Sequence, residues 1–392
     1  ENSLATNRAF YEAASKRAAE RGETVQVLYS SWSPEGALKS NGSIKGGGSL
    51  KKNAKGQYCY DEFGQWWTDS VKAYREAGIP VDFVSIQNEA DYKVDYDGCE
   101  FDSKENETNA EYSKAFLATY RSFCKEFADD APKMIGPETM TCQGGAIQQY
   151  LAGVVAEAPE SIYAVAHHLY QGGDSVEGSA TSRSLCKYDT FSTNLKILKS
   201  YAQEHNYKLW QTEFYRGNAL ETANMINNCL TLENANAYIF WGGVWLYSKD
   251  NLTSTTLIPC GVYSELAPNS KAYIVTGDYY VLRHFSEFIR PGYIRVADKL
   301  THIDNEIMTD VRSSSYVSPD GTRLVIVLMN NGKKPQQLQL QASDFIGGSQ
   351  VIQSVLTDGY TSDMLYQRLG SLQADIPLEL PASSVTTIVL DR

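Results

Sequence analysis

The chain has 392 residues, 42% of them hydrophobic, and a formal net charge of −12. That is enough apolar material for a sizeable core and enough length for two domains, or one large domain with an appendage. The acidic balance argues against nucleic acid and anionic lipid, which are recognised by basic patches, and the sequence has no run of 18 apolar residues to span a membrane.

The first residues, ENSLATNRAF, lack the charged-then-apolar layout of a signal peptide. The chain up to Gly22 reads as a helix, with Leu4, Phe10, Ala14 and Ala18 at helical spacing. TVQVLYSSW reads as a short buried strand, and the loop KSNGSIKGGGSLKKNAKG after it reads as flexible. The next helix, DEFGQWWTDSVKAYREAG, carries an apolar stripe of Phe63, Trp66, Trp67, Val71 and Tyr74, which assigns both tryptophans to the core. Strand-like runs VDFVSIQNE, KMIGPE, YAVAHHLY, KLWQTEFY and AYIFWGGVW then alternate with helical stretches. Strand–helix alternation of this kind signals a parallel sheet. Six strands fit the later part of a (β/α)8 TIM barrel, so residues 1–291 read as a barrel domain and 292–392 as an antiparallel β-sandwich side domain. The seven cysteines are scattered with no C-x-x-C pair, and the five histidines show no H-E-x-x-H spacing, so no metal and no organic cofactor is expected.

In a β/α barrel, functional side chains gather at the C-terminal ends of the strands. VDFVSIQNE ends in Asn88 and Glu89, and KLWQTEFY delivers Glu213. Two carboxylates facing across a barrel mouth are what glycoside hydrolysis needs, about 5–5.5 Å apart in a retaining enzyme. Read blandly, Glu89 is a helix-start acid favoured by the helix dipole. Glu138, in IGPETM, also ends a strand and reads as a supporting or substrate-contact residue. His167 and His168 are adjacent, so they point to opposite sides of their strand.

These residues carry a resemblance. SIQNEADY resembles the Q-N-E-P strand-four signature of clan A retaining glycosidases, and LWQTE resembles their W-x-T-E nucleophile strand. SSWSPEGALKSNG, HHLY and FSEFIRPGYIRV are similar to segments of glycoside hydrolase family 30, in the same order. The resemblance runs from about residue 4 to 392 and leans toward the xylanase and glucuronoxylanase branch. It implies Glu89 as acid/base, Glu213 as nucleophile and Asn88 on the sugar 2-hydroxyl. It further implies Trp32, His168, Tyr170, Trp241 and Trp245 as substrate-binding residues. The expected activity is secreted, two-glutamate hydrolysis of plant cell-wall xylan. The alternatives are another family-30 β-glycosidase, such as a β-1,6-glucanase, and a non-catalytic carbohydrate-binding descendant.

The sequence departs from the family pattern at its start. Barrel strands one and two, with the arginine that strand two commonly supplies, have no counterpart. A fragment of a longer product, a homodimer closing the open barrel and a loss of activity are the three readings of that gap. Between Trp245 and Arg283 the only cations are Lys249 and Lys271. A bidentate arginine clamp for a glucuronate branch is missing there, so weak dependence on that branch is expected.

Overall fold

The computed structural model describes residues 2–172, 191–215, 218–246, 256–260, 273, 275–301, 310–342, 344–345, 348–356, 364–372 and 377–392. Lys249 and Lys271 lie outside the described residues. The first half of the chain runs α1 (Asn2–Ala19), β1 (Leu28–Ser30), α2 (Tyr60–Glu76), β2 (Phe83–Ser85), β3 (Phe101–Asp102), β4 (Ala110–Glu111), α3 (Tyr112–Phe127), β5 (Lys133–Thr141), α4 (Gly144–Glu157) and β6 (Ile162–Gln171). It continues through α5 (Ser192–His205), β7 (Lys208–Glu213), α6 (Ala219–Asn228), β8 (Ala237–Tyr238), β9 (Val244–Leu246), β10 (Ile258–Cys260) and α7 (Gly277–Ser286). The last part is all strand: β11 (Ile294–Val296), β12 (Val311–Val317), β13 (Arg323–Asn330), β14 (Gln336–Leu338), β15 (Ser349–Val355), β16 (Met364–Gly370), β17 (Leu378–Leu380) and β18 (Ser384–Asp391). Among the described residues, one compact unit takes in those up to 172, 191–212 and 235–237; a second takes in 213–234 and those from 238 on.

The first unit is built on a six-stranded sheet ordered β1-β2-β5-β6-β7-β8. Neighbours β1–β2, β2–β5 and β5–β6 pair in parallel. All six strands expected from the sequence are present, and helices connect most of them, as parallel strands require. β5 and β6 are buried along nearly their whole length, the signature of strands covered on both faces. α2 buries Phe63, Trp67 and Val71, and the Trp67 indole donates to the Ile86 carbonyl at 3.2 Å. Trp67 is thus core, as its helical spacing implied, and Trp66 stacks beside it on Phe63 at 5.9 Å. α2 and α3 pack closely because Gly64 faces the Ala118 carbonyl, where a Cβ would come within 2.8 Å of the oxygen.

The helix expected at the start of the chain is present as α1, with Phe10 of its stripe 65% exposed. α1 precedes β1, and β1 is an edge strand of the sheet, so helical periodicity here marks a half-covered face. The KGGGS loop is built rather than slack. Gly46, Gly47 and Gly48 hold φ of 78°, 67° and 75°, a left-handed run open only to glycine. It wraps the Glu100 carboxylate, which accepts the Gly48 N–H at 2.9 Å. The buried Lys39 ammonium ties this loop to the one after β2, donating to the carbonyls of Gly98 and, at 3.3 Å, Ile44.

The second unit carries an antiparallel sheet ordered β11-β12-β13-β18-β15-β16, with β14 pairing β17 in a small second sheet. β13 is buried on both faces. Val325, Val327 and Met329 pack with Val385, Val389 and the apolar faces of α6 and α7, while Leu324, Ile326 and Leu328 pack with Val311, Leu380 and Ile388. The second unit therefore begins earlier in the chain than the change of sequence pattern at residue 292, because α6 and α7 bury their apolar faces on sandwich strands. β16 and β17 were not evident from the sequence.

Candidate active site

The loop after β2 runs straight into Gln87, Asn88 and Glu89, all buried. The Asn88 N–H donates to the Ser31 carbonyl at 2.7 Å, and the Glu89 N–H to the Glu138 carbonyl at 2.9 Å. Gln87 joins this segment to the loop after β1, its amide donating to the carbonyls of Trp32 at 2.7 Å and Asn88 at 3.0 Å. Backbone pairing across three parallel strands therefore fixes where Glu89 begins. Its φ of 49° turns it out of the strand direction, a left-handed conformation that is uncommon for a residue with a side chain.

Glu138 repeats the device. The β5–β6 register slips between Pro137 and Thr139, so Glu138 is the extra residue of a bulge, with φ of 54°. Bulges re-aim a side chain. Here the glutamate is turned toward the Ser30 hydroxyl, which donates to it. Gly136, two residues earlier, leaves room for the Tyr112 hydroxyl, which would lie 2.2 Å from a Cβ at that position.

His168 stands between the two acids. Its Nδ1 lies 3.1 Å from Glu89 Oε1 and its Nε2 4.0 Å from Glu138 Oε1; His168 and Glu138 are 0% and 3% exposed. Burial pushes the Glu138 carboxyl up, but the facing His168, with the Ser30 and Ser85 hydroxyls, outweighs it and holds the group below the usual carboxylate range. Tyr112 is driven well above its ordinary value by burial, and the charge on Glu138 adds to that. Asp91 has a different task. Its carboxylate accepts the N–H groups of Met140 at 2.8 Å and Thr141 at 3.4 Å, pinning the end of β5 to the β2 loop. Burial raises it to about 6 against those donors, and the charge of Glu89 adds to the rise.

Of the residues expected at the site, Asn88, Glu89, His168 and Tyr170 come together in the first unit. The His168 and Tyr170 rings lie 6.0 Å apart at 87°, and Trp32 is tied in through Gln87. His167 is buried, its Nδ1 3.0 Å from the His168 carbonyl. Glu213 closes β7 and is 8% exposed. Trp241 and Trp245, in the second unit, set their rings 5.6 Å apart, and Trp245 is 51% exposed. Sequence reasoning gave no role to Ser30, Ser85, Gln87 and Asp91. The usable signal was a small hydroxyl near the end of each of two apolar strands, and a carboxylate two residues past Glu89.

The first unit is a parallel β/α sheet with glutamates and a histidine toward its strand ends, and the same chain carries an antiparallel sheet in its second unit. Residues 300–388 match the family model described as the glycosyl hydrolase family 30 beta sandwich domain. The chain is similar to "Putative glucosylceramidase 1" of Caenorhabditis elegans, 24% identical over 81% of this chain and 58% of that protein. It is also similar to "Endo-1,6-beta-D-glucanase" of Neurospora crassa, 22% identical over 77% of this chain and 58% of that one. Among solved structures it shares its fold with the family 30 subfamily 8 xylanase Xyn30A from Clostridium acetobutylicum, at TM-score 0.65 and 23% identity, covering 97% of this chain and 82% of that one. The family match places residues 300–388 in the glycosyl hydrolase family 30 beta sandwich domain. The chain spans a little over half the length of these curated relatives, 58%.

Proposed function

We propose that the chain is a retaining glycoside hydrolase acting on β-1,4-linked xylan, with Glu89 as acid/base and Glu213 as nucleophile. The observation that carries this reading is Glu89 itself. It is a buried glutamate turned out of its strand by a left-handed backbone and set against an imidazole, in a sheet where β7 ends on a second buried glutamate. In the first step Glu213 attacks the anomeric carbon while Glu89 gives its proton to the departing glycosidic oxygen. In the second, Glu89 takes a proton from water, and the resulting hydroxide character at the oxygen releases the sugar from Glu213. Asn88 holds the sugar 2-hydroxyl, a contact that strengthens as the ring gains positive charge. Trp241 and Trp245 offer flat apolar faces to sugar rings, with Trp245 half exposed for the purpose. Because a polymer of this size does not cross a membrane, the proposed site of action is extracellular.

The likeness to the Neurospora crassa protein favours a second reading, hydrolysis of β-1,6-glucan by the same two acids. Reducing-sugar release from xylan, glucuronoxylan and β-1,6-glucan, measured for wild type, Glu89→Gln and Glu213→Gln, separates the readings. Turnover of xylan that falls at least about a thousandfold in Glu213→Gln, with folding unchanged, is the expected result. Preference for β-1,6-glucan selects the second reading. Polysaccharide binding without reducing-sugar release by the wild type identifies a non-catalytic binding protein.

A further inference from the structure

Glu138 is a buried acid that the two-glutamate chemistry leaves without a task. Its setting is nevertheless specialised: a bulge in β5, a left-handed φ of 54°, a hydroxyl donor in Ser30 and an imidazole nitrogen 4.0 Å away. The same imidazole presents its other nitrogen to Glu89 at 3.1 Å. We infer that Glu138 is a positioning residue, a carboxylate that keeps a proton on His168 Nε2 and so reserves Nδ1 for proton exchange with Glu89. This rests on the reading of Glu89 as acid/base and adds to it the device that supplies and holds its proton.

The chemistry follows from the two ring nitrogens. A neutral imidazole carries one proton, and a fixed anion opposite Nε2 selects the tautomer with the proton there. Nδ1 then has a lone pair facing Glu89. When Glu89 is a carboxylic acid, its O–H donates to Nδ1; when Glu89 has given its proton to the leaving oxygen, the Glu89–Nδ1 pair is left without a proton and is set to take one up. A proton taken from water in the second step returns to the Glu89–His168 pair. No proton is gained or lost by Glu138 in either step. The titratable groups around this relay include Glu89 and Asp91 on the β2 loop, Glu138 on β5, His168 and Tyr170 on β6, Glu213 at the end of β7 and Tyr112 on α3. Ser30 on β1 and Ser85 on β2 contribute neutral hydroxyls.

The test has two arms. In the first, ¹⁵N–¹H long-range correlation spectra of the histidine side chains read the protonation of His168 in the wild type and in Glu138→Gln, with a His168→Gln spectrum for assignment. A proton on Nε2 held from pH 5 to 8 in the wild type, and lost or mixed between the two nitrogens in Glu138→Gln, supports the inference. A wild-type His168 protonated on Nδ1 alone overturns it, and that spectrum needs no catalysis. In the second arm, kcat/KM is measured on a xylobioside with a poor leaving group and on its dinitrophenyl counterpart, whose departure needs no acid. Glu138→Gln should lose roughly tenfold to a hundredfold on the former and less than about threefold on the latter, with Glu138→Asp restoring part of the loss. Equal losses on both substrates make Glu138 merely structural and overturn the inference. A wild type that hydrolyses neither substrate, but shows the Nε2 proton and its loss in Glu138→Gln, overturns the glycosidase reading while supporting the role of Glu138 toward His168.

Discussion

Acidification should destabilise the second unit through one side chain, His284. The imidazole is 0% exposed on α7. Its Nδ1 lies 2.9 Å from the Thr387 hydroxyl and its Nε2 2.9 Å from the Ser354 hydroxyl. Thr387 spends its own hydroxyl proton on the His284 carbonyl at 3.1 Å, so it accepts from Nδ1–H. Ser354 accepts the Tyr366 N–H at 3.0 Å and gives its hydroxyl proton to Nε2. The network is complete with a neutral ring and has no place for a second ring proton. Burial lowers His284 to about 3, with Glu287 opposing and Arg283 assisting that shift. An unfolded chain protonates histidine near 6.5, so below that pH the unfolded state takes up a proton that the fold refuses. The stabilisation is fully present above about pH 6.5 and is lost as pH falls toward about 3, at roughly 1.4 kcal/mol per pH unit and at most about 5 kcal/mol in all. Between pH 7 and pH 5 the loss is about 2 kcal/mol. Urea unfolding followed by near-ultraviolet circular dichroism, in wild type and His284→Gln, isolates it as a difference of differences. Wild type should lose about 2 kcal/mol more than the variant over that interval. Parallel pH dependence in the two proteins would refute the assignment of a neutral buried ring.

Asp278, on the first turn of α7, works in the opposite sense. Burial raises its carboxyl to about 6 even though the Thr222 hydroxyl donates to it at 2.5 Å. With the folded value above the unfolded one, its contribution is present below about pH 4 and lost as pH rises through 6. Asp278→Asn should therefore gain about 2–3 kcal/mol relative to wild type on going from pH 4 to pH 7, and an unchanged difference across that range would contradict this. Gly64→Ala sets two effects against each other. Helix propensity favours alanine by about 1 kcal/mol, whereas a Cβ 2.8 Å from the Ala118 oxygen forces α2 and α3 apart at about 1–3 kcal/mol. Thermal unfolding should show net destabilisation, and a raised Tm would mean the helices separate freely. Trp245→Ala should raise KM for xylan roughly fivefold to tenfold through lost stacking while leaving stability within about 0.5 kcal/mol; a KM unchanged within error would remove Trp245 from the binding surface.

The sheet was legible in the sequence because its strands are short apolar runs separated by long helical ones, and that alternation survives any detail of the site. All six runs became strands of one sheet. The acids were legible for a related reason: Asn88-Glu89 and Glu213 each interrupt an apolar run where a strand must stop. What the pattern could not carry was conformation. Nothing in the spacing of KGGGS distinguishes a slack loop from three left-handed glycines closed around Glu100. Periodicity also does not say whether a helical stripe such as that of α1 is covered by another element: α1 is a helix, yet Phe10 is 65% exposed. β17 went unseen because three residues, Leu378–Leu380, are too few to establish a period.

The same limitation hid the relation between Glu89 and Glu138. A left-handed residue with a side chain costs on the order of 1 kcal/mol or more, and the two acids adopt that conformation in adjacent strands' ends, joined by the Glu89 N–H to Glu138 carbonyl bond. The bond is part of the compensation, since it satisfies a buried donor that a regular strand would have satisfied differently. Two independent left-handed turns would each need their own support. Coupling them lets one hydrogen bond and one histidine hold both, so the positions of the two carboxylates are not separately adjustable. A substitution that relaxes the β5 bulge must therefore move Glu89 as well, which is the route by which Glu138 would act on the proposed proton donor without entering the proposed bond-breaking step.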